Sequence, residues 1–160
     1  MATKFVLPKE IICNTILRVT YHDTDQMGVV YYSNYLIWFE IGRVEFLRRC
    51  GSNYKDIEKG GIALPVKHCS CDYFKSACYD DIVRIETLLK ELTGASIAFK
   101  YNIYLYPGGS HIASGETKHV FISTDGKIQR AGKRFYDIFA GCNEEVIIKC
   151  REPLANVNFL

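Results

Sequence analysis

The residues with the most chemistry in this chain lie together, in the run Tyr21-His22-Asp23-Thr24-Asp25-Gln26-Met27-Gly28-Val29-Val30-Tyr31-Tyr32-Ser33-Asn34-Tyr35. Two carboxylates, Asp23 and Asp25, fall between the end of a predicted strand and the start of a predicted helix. The first N–H groups of a helix have no intrahelical acceptor and carry about half a positive charge. A carboxylate is stabilised there, and a carbonyl oxygen seated on those amides is polarised. A base or nucleophile beside such an oxyanion site is what hydrolysis of an acyl bond requires. The same residues also suit a purely local purpose, since Asp23 or Asp25 can cap the helix or close an Asx-turn. Gly28 admits a loop conformation and a close approach that a side chain would obstruct.

Other chemistries find little support. There is no G-x-S-x-G elbow, no G-x-G-x-x-G fingerprint, no Walker-type loop and no H-E-x-x-H. His22, His68, His111 and His119 have no serine or cysteine partner by spacing and read as strand residues. Cys69 and Cys71 would share one face of a strand, but no Cys-x-x-Cys pair exists, so no metal site is expected. The seven cysteines are an odd number in a chain without an export signal, which points to reduced thiols and a cytoplasmic location. Lys127, Arg130, Lys133 and Arg134 form a basic run, suited to phosphate groups or to a solvated surface. Glu40 and Glu45 read as helix-surface partners of Arg43 and Arg49.

The elements that must position the acidic loop follow from periodicity. A strand is predicted over 14–23 and a helix from near Tyr32 to about Cys50, stopped by Gly51. The start of that helix is apolar nearly all round, so it is expected to be buried at its beginning and to emerge later. Gly42 within it suggests close packing against another backbone. A short helix follows over 52–59, with Ser52 as its N-cap. Strands are predicted over 63–74, 97–105, 111–124 and, after the Asp125-Gly126 turn, 127–129. Residues 81–92 fit strand or helix, since Ile82, Ile85, Leu89 and Leu92 also make a helical stripe. A last helix is expected over 132–140, then an irregular tail. This order gives an α+β domain, an antiparallel sheet curved around one long helix.

Composition bounds the rest. The chain has 160 residues, 48% hydrophobic and 24% charged, which is enough for one core and excludes dominant disorder. A net charge of +2 argues against a nucleic-acid partner. The densest apolar stretch, 29–39, is about half the roughly 20 residues a membrane span needs. Met1 to Lys9 lacks the features of a secretory signal. One domain is read over 1–160, with a motif-bearing core over about 14–130 and a C-terminal helix and tail over 131–160.

The run from Tyr21 to Tyr35 resembles the signature D-x-D-x-x-G-x-V-[YW]-x-x-N-Y of the 4-hydroxybenzoyl-CoA thioesterase family, including its YbgC-type acyl-CoA thioesterases. Phe39-Glu40, Leu64-Pro65-Val66, Tyr73 through Ala77 to Asp81, Ile85-Glu86-Thr87, Gly94-x-Ser96, Ala113 to Glu116 and His119-Val120 extend the resemblance over roughly 15–130. It implies a hotdog fold, which makes residues 81–92 a strand. It implies hydrolysis of an acyl-CoA without cofactor or metal, and a homodimer or a dimer of dimers with the sites at the interface. Carried over by position, Asp25 is the catalytic carboxylate, as nucleophile or as base for water. Tyr32 supplies the backbone N–H that polarises the carbonyl, and Tyr21 lines the site. Gly28, Val29 and Asn34 shape the substrate-binding loop. Lys133 and Arg134, taken from the basic run and not from the family's motif, are the candidates for the CoA phosphates.

Two positions depart from the family. YbgC-type members carry histidine where this chain has Tyr32, so only the backbone role transfers. The hydroxybenzoyl enzyme has a basic triplet where this chain has Thr93-Gly94-Ala95, so its substrate does not transfer. An acyl-carrier-protein thioesterase and a non-catalytic acyl-CoA-binding hotdog stand as alternatives; retention of Asp25 speaks against the second.

Overall fold

The computed structural model describes residues 3–151 and 154–155. Its long helix, α1 (Asn34–Arg49), lies in the hollow of one curved sheet. The sheet is built from β1 (Lys4–Phe5), β2 (Ile12–Arg18), β3 (Val66–Tyr73), β4 (Ile82–Thr93), β5 (Ser96–Leu105), β6 (His111–Val120) and β7 (Leu154–Ala155). Its strand order is β3-β6-β5-β4-β2-β7, with β1 also paired to β4. All pairings are antiparallel except β2 with β7. This is the expected hotdog arrangement, and residues 81–92 are indeed strand.

Helix α1 is buried along one face for its whole length, not only at its start. Tyr35, Trp38, Phe39, Gly42, Arg43, Phe46 and Leu47 are buried, at the three- and four-residue spacing of a single helical stripe. The expected emergence is wrong because Gly42 and Arg43 occupy stripe positions without looking apolar. A Cβ on Gly42 would lie 2.5 Å from Thr87 Oγ1 and 2.9 Å from Ile85 Cγ2, so the close packing is against side chains of β4 rather than a backbone. A Cβ on Gly115 would lie 2.3 Å from the Ser70 carbonyl oxygen and 2.5 Å from the Phe39 ring. That missing side chain lets Phe39 stack on Tyr101, with ring centroids 4.4 Å apart. Arg43 lies 5.5 Å from the Tyr54 ring centroid, and Glu45 pairs with Arg48.

Boundaries differ where side chains redirect the backbone. The first long strand ends at Arg18, because the Asp23 carboxylate accepts both the N–H and the O–H of Thr20 and folds Tyr21–Asp23 into a 3-10 turn. Helix α2 (Tyr54–Lys59) is capped by Asn53, not Ser52, through a hydrogen bond from the Lys55 N–H. Residues 127–129 form no strand, only a bridge between Ile122 and Ile128. Helix α3 (Gly132–Ala140) is as expected, and its Phe135 stacks on Phe121 at 4.9 Å. The tail is not irregular throughout. Asn143 Oδ1 accepts the Val146 N–H, helix α4 (Glu144–Arg151) follows, and β7 joins β2. The remainder of the expected tail, 152–153 and 156–160, lies outside the described residues.

One polar row crosses the core. His119 is fully buried, and its Nδ1 lies 3.1 Å from the Leu64 carbonyl oxygen, which can only accept. Nδ1 therefore carries the proton, Nε2 accepts from Thr117 Oγ1 at 2.8 Å, and Tyr101 donates to Thr117 at 2.7 Å. Burial, with the Arg43 charge adding to it, lowers the His119 pKa from 6.5 to about 4. The unfolded chain therefore binds the extra proton first. This contribution to stability is complete above pH 6.5 and drains away as the pH falls towards 4. Denaturant melts of the parent are expected to lose on the order of 2–3 kcal/mol across that window, and a His119→Asn variant to show a flatter profile. Parallel profiles would remove His119 as the cause.

Candidate active site

The loop between β2 and α1 is held by its own backbone. The Asp25 N–H donates to the Val29 carbonyl and the Gly28 N–H to the Asp25 carbonyl, both at 3.0 Å. Gly28 closes this turn at φ +74°, with open space where a Cβ would stand, so backbone conformation rather than crowding favours glycine. The Asp23 carbonyl oxygen accepts two bonds at 2.8 Å, from the Tyr31 N–H and from Asn34 Nδ2. Asn34, the first residue of α1, thus ties the helix back onto the acidic loop. The far side of the loop is secured by the Val30 N–H on the Ala77 carbonyl, at 2.9 Å.

The two acidic side chains are used differently. Asp23 is the cap of the 3-10 turn. Asp25 is half-buried; its Oδ1 accepts the Met27 N–H at 2.8 Å, and its second oxygen has no partner among the described residues. The start of α1 is open in a particular way. The Asn34 N–H reaches the Tyr31 carbonyl at 2.9 Å and the Leu36 N–H the Ser33 carbonyl at 3.1 Å. The Tyr32 and Ser33 N–H groups find no acceptor among the described residues. These are the unpaired donors that a helix start provides.

Asp25 and Tyr32 line one cleft of about 510 Å³. Tyr31, Tyr32 and Tyr35 line it from the helix start, Tyr73 and Phe74 from the end of β3, and Val29 and Val30 also line it. Lys75 and Ser76 add polar groups. Tyr31 is held above the usual tyrosine range by its hydrogen bond with Tyr32 and, less so, by the Asp25 charge, while burial pushes Tyr35 and Tyr73 up. Such a cleft can hold an apolar or aromatic group with a carbonyl at its polar end.

The structure brings Asp25, Val29 and Tyr32 together, with Gly28 and Asn34 shaping their loop. Tyr21 does not line the cleft; it is 79% exposed and packs edge-on against Tyr79 at 5.8 Å. Lys133 and Arg134 sit on α3, whose Phe139 meets Phe46 near the far end of α1. Phe46 is about 21 Å from Tyr32 along the helix axis by the usual rise per residue. Lys133 pairs there with Asp137, and the Arg134 guanidinium lies against Gly60. The wall formed by Tyr73, Phe74 and Lys75 was not assigned to the site from sequence. Its signals are an aromatic pair at the end of a predicted strand and its place within the family resemblance.

The chain is similar to known proteins over most of its length. The sequence pattern of the thioesterase-like superfamily matches residues 19–141. The chain is 32% identical over 109 residues to the putative acyl-CoA thioesterase YneP of Bacillus subtilis, spanning 68% of this chain and 78% of that protein. It is 39% identical over 88 residues to the acyl-CoA thioesterase YbgC of Haemophilus influenzae, 54% of this chain and 65% of that one. Among solved structures, the DHNA-CoA thioesterase from Staphylococcus aureus superposes with a TM-score of 0.75 at 33% identity, covering 79% of this chain and 85% of that one.

Proposed function

This chain belongs to the thioesterase-like superfamily, in the YbgC-type branch that its first motif resembles, and on that footing we propose that it hydrolyses an acyl-CoA to the free acid and CoA at the Asp25 cleft. The observation that carries the reading is one cleft lined by a carboxylate with a partner-free oxygen and by the residue whose amide opens the helix start. The thioester carbonyl oxygen sits on the Tyr32 and Ser33 amides, which stabilise the negative charge that develops on it. Asp25 either attacks the carbonyl carbon, forming an anhydride that water opens, or takes a proton from the attacking water. In both routes the C–S bond breaks and CoA leaves with the sulfur. Water and these side chains suffice, without metal or cofactor.

Val29 contacts the acyl group, while Gly28 and Asn34 keep Asp25 in place. Tyr21, on the outer rim of the same loop, contacts the part of the substrate that leaves the cleft. The CoA phosphates lie at the far end of the pantetheine arm, so contacts from Lys133 and Arg134, remote from Asp25, suit the chemistry. A cytoplasmic setting fits a CoA ester substrate and the free thiols of Cys69, Cys71 and Cys78. Among the described residues no helix is long and apolar enough to cross a membrane.

Assembly belongs to the same reading. β3 is an eight-residue edge strand, exposed over nearly its whole length, and it borders a groove of about 340 Å³ lined by Ile37, Arg43 and Val66. Edges of that kind are normally covered. The proposed cover is a second copy of the chain, in a homodimer or a dimer of dimers.

Four outcomes test these assignments. In a thiol-release assay with a panel of acyl-CoAs, Asp25→Asn is expected to lower kcat at least ~10²-fold with KM largely kept. Asp23→Ala is expected mainly to lower stability, by roughly 0.5–2 kcal/mol, through the lost cap. An Asp25→Asn protein that melts and turns over like the parent would refute the mechanism. Replacing Lys133 and Arg134 together by alanine should raise KM and leave kcat nearly unchanged, a cost of about 1–3 kcal/mol at low salt. Unchanged KM returns both residues to a solvated surface. Sedimentation should find a dimer or tetramer, and a fully active stable monomer would contradict the assembly.

A further inference from the structure

We propose that Tyr73 is a positioning residue for the carbonyl-binding amides at the start of α1, acting through the peptide group between Tyr32 and Ser33. The inference rests on the reading of Asp25 and those amides given above. Tyr73 ends β3 and is 41 residues from Tyr32 in sequence, yet its phenol O–H donates to the Tyr32 carbonyl oxygen at 3.0 Å. In a regular α-helix that carbonyl would accept the Leu36 N–H. Here the Leu36 N–H goes to the Ser33 carbonyl instead, at 3.1 Å. The Tyr32 carbonyl, one residue before the N-cap Ser33, thus stands outside the helical ladder, and Tyr73 supplies the donor that Leu36 does not.

Peptide planarity turns this bond into control of an amide. A trans peptide group points its N–H opposite to its C=O. The peptide between Tyr31 and Tyr32 is clamped at its carbonyl by the Asn34 N–H at 2.9 Å, which aims the Tyr32 N–H. The next peptide is clamped at its carbonyl by Tyr73, which aims the Ser33 N–H. Both of these amides lack an acceptor among the described residues, and the direction of each is set this way. Tyr35 meets the Tyr73 ring edge-on, with centroids 5.1 Å apart, and so holds the phenol in place. Burial raises the Tyr73 pKa, so the O–H persists as a donor at alkaline pH. Without the phenol, the Tyr32 carbonyl is free to take the Leu36 N–H, which lengthens the helix and swings the Ser33 amide away.

Tyr73→Phe tests this with the ring and its contact with Tyr35 retained. The best acyl-CoA of the panel is expected to show a kcat about tenfold lower and a KM within about twofold, because the amides act mainly on charge formed in the transition state. A second readout is the infrared carbonyl stretch of the bound ketone analogue of that substrate, with methylene in place of sulfur. The parent should shift it to lower frequency, and Tyr73→Phe should return most of that shift. An unchanged kcat, a rise in KM alone, or a lower Tm with kcat and the carbonyl stretch intact each overturns the role. The parallel Asp25→Asn measurement keeps the two readings apart. An inactive Asp25→Asn beside a parent-like Tyr73→Phe removes only the positioning role, and an active Asp25→Asn removes the reaction on which it rests.

Discussion

Helix α1 can lie inside the curved sheet only because two side chains are missing at its closest approaches. At Gly42 a methyl group would enter the space of Thr87 and Ile85, and at Gly115 that of Ser70 and the Phe39 ring. Close packing leaves interiors little slack to absorb such a group. With both positions empty, the aromatic residues of α1 reach the sheet directly, Phe39 on Tyr101 and Phe46 on Phe99. The depth of α1 sets the level of its N-terminal turn, and that level sets where the Tyr32 and Ser33 amides open relative to Asp25. A contact in the middle of the core thus governs the geometry at its rim.

The acidic loop reaches the same rim by a different physics. It buries little apolar surface and is held by main-chain bonds: the Asp23 carbonyl accepts from Tyr31 and Asn34, and Asp25 pairs through its backbone with Val29 and Gly28. Satisfying backbone groups this fully in an irregular segment gives it one conformation instead of many. The Tyr32 and Ser33 amides and one oxygen of Asp25 stay unpaired among the described residues. In the proposed function a ligand completes their bonding.

Much of this was legible in the sequence, unevenly. The Tyr21 to Tyr35 run located the loop, since carboxylates, glycine and the asparagine that begins α1 each do local work there. β5 and α3 were readable because their periodicities are clean. The length of the buried stripe on α1 was not, since Gly42 and Arg43 do not look like core residues. Residues 81–92 offered two periods at once, and only the family resemblance chose between them. The 3-10 turn was hidden because the bonds that Thr20 donates to the Asp23 carboxylate outweighed the strand preference of Tyr21. Tyr73 was out of reach for another reason: its partner is 41 residues away, and only the course of β3 beside α1 brings the two together.

The two edges of the sheet are unequal, and that inequality bears on how copies of the chain add up. At one end β2 is overlaid by β7, a two-residue strand paired to Thr15 and Ile16, which offers almost no ladder for another chain. At the other end β3 presents eight residues. In the proposed assembly, pairing through β3 is isologous: the contact that consumes β3 in one copy consumes it in the other. A union of that symmetry closes on itself and gives a discrete pair rather than a fibre.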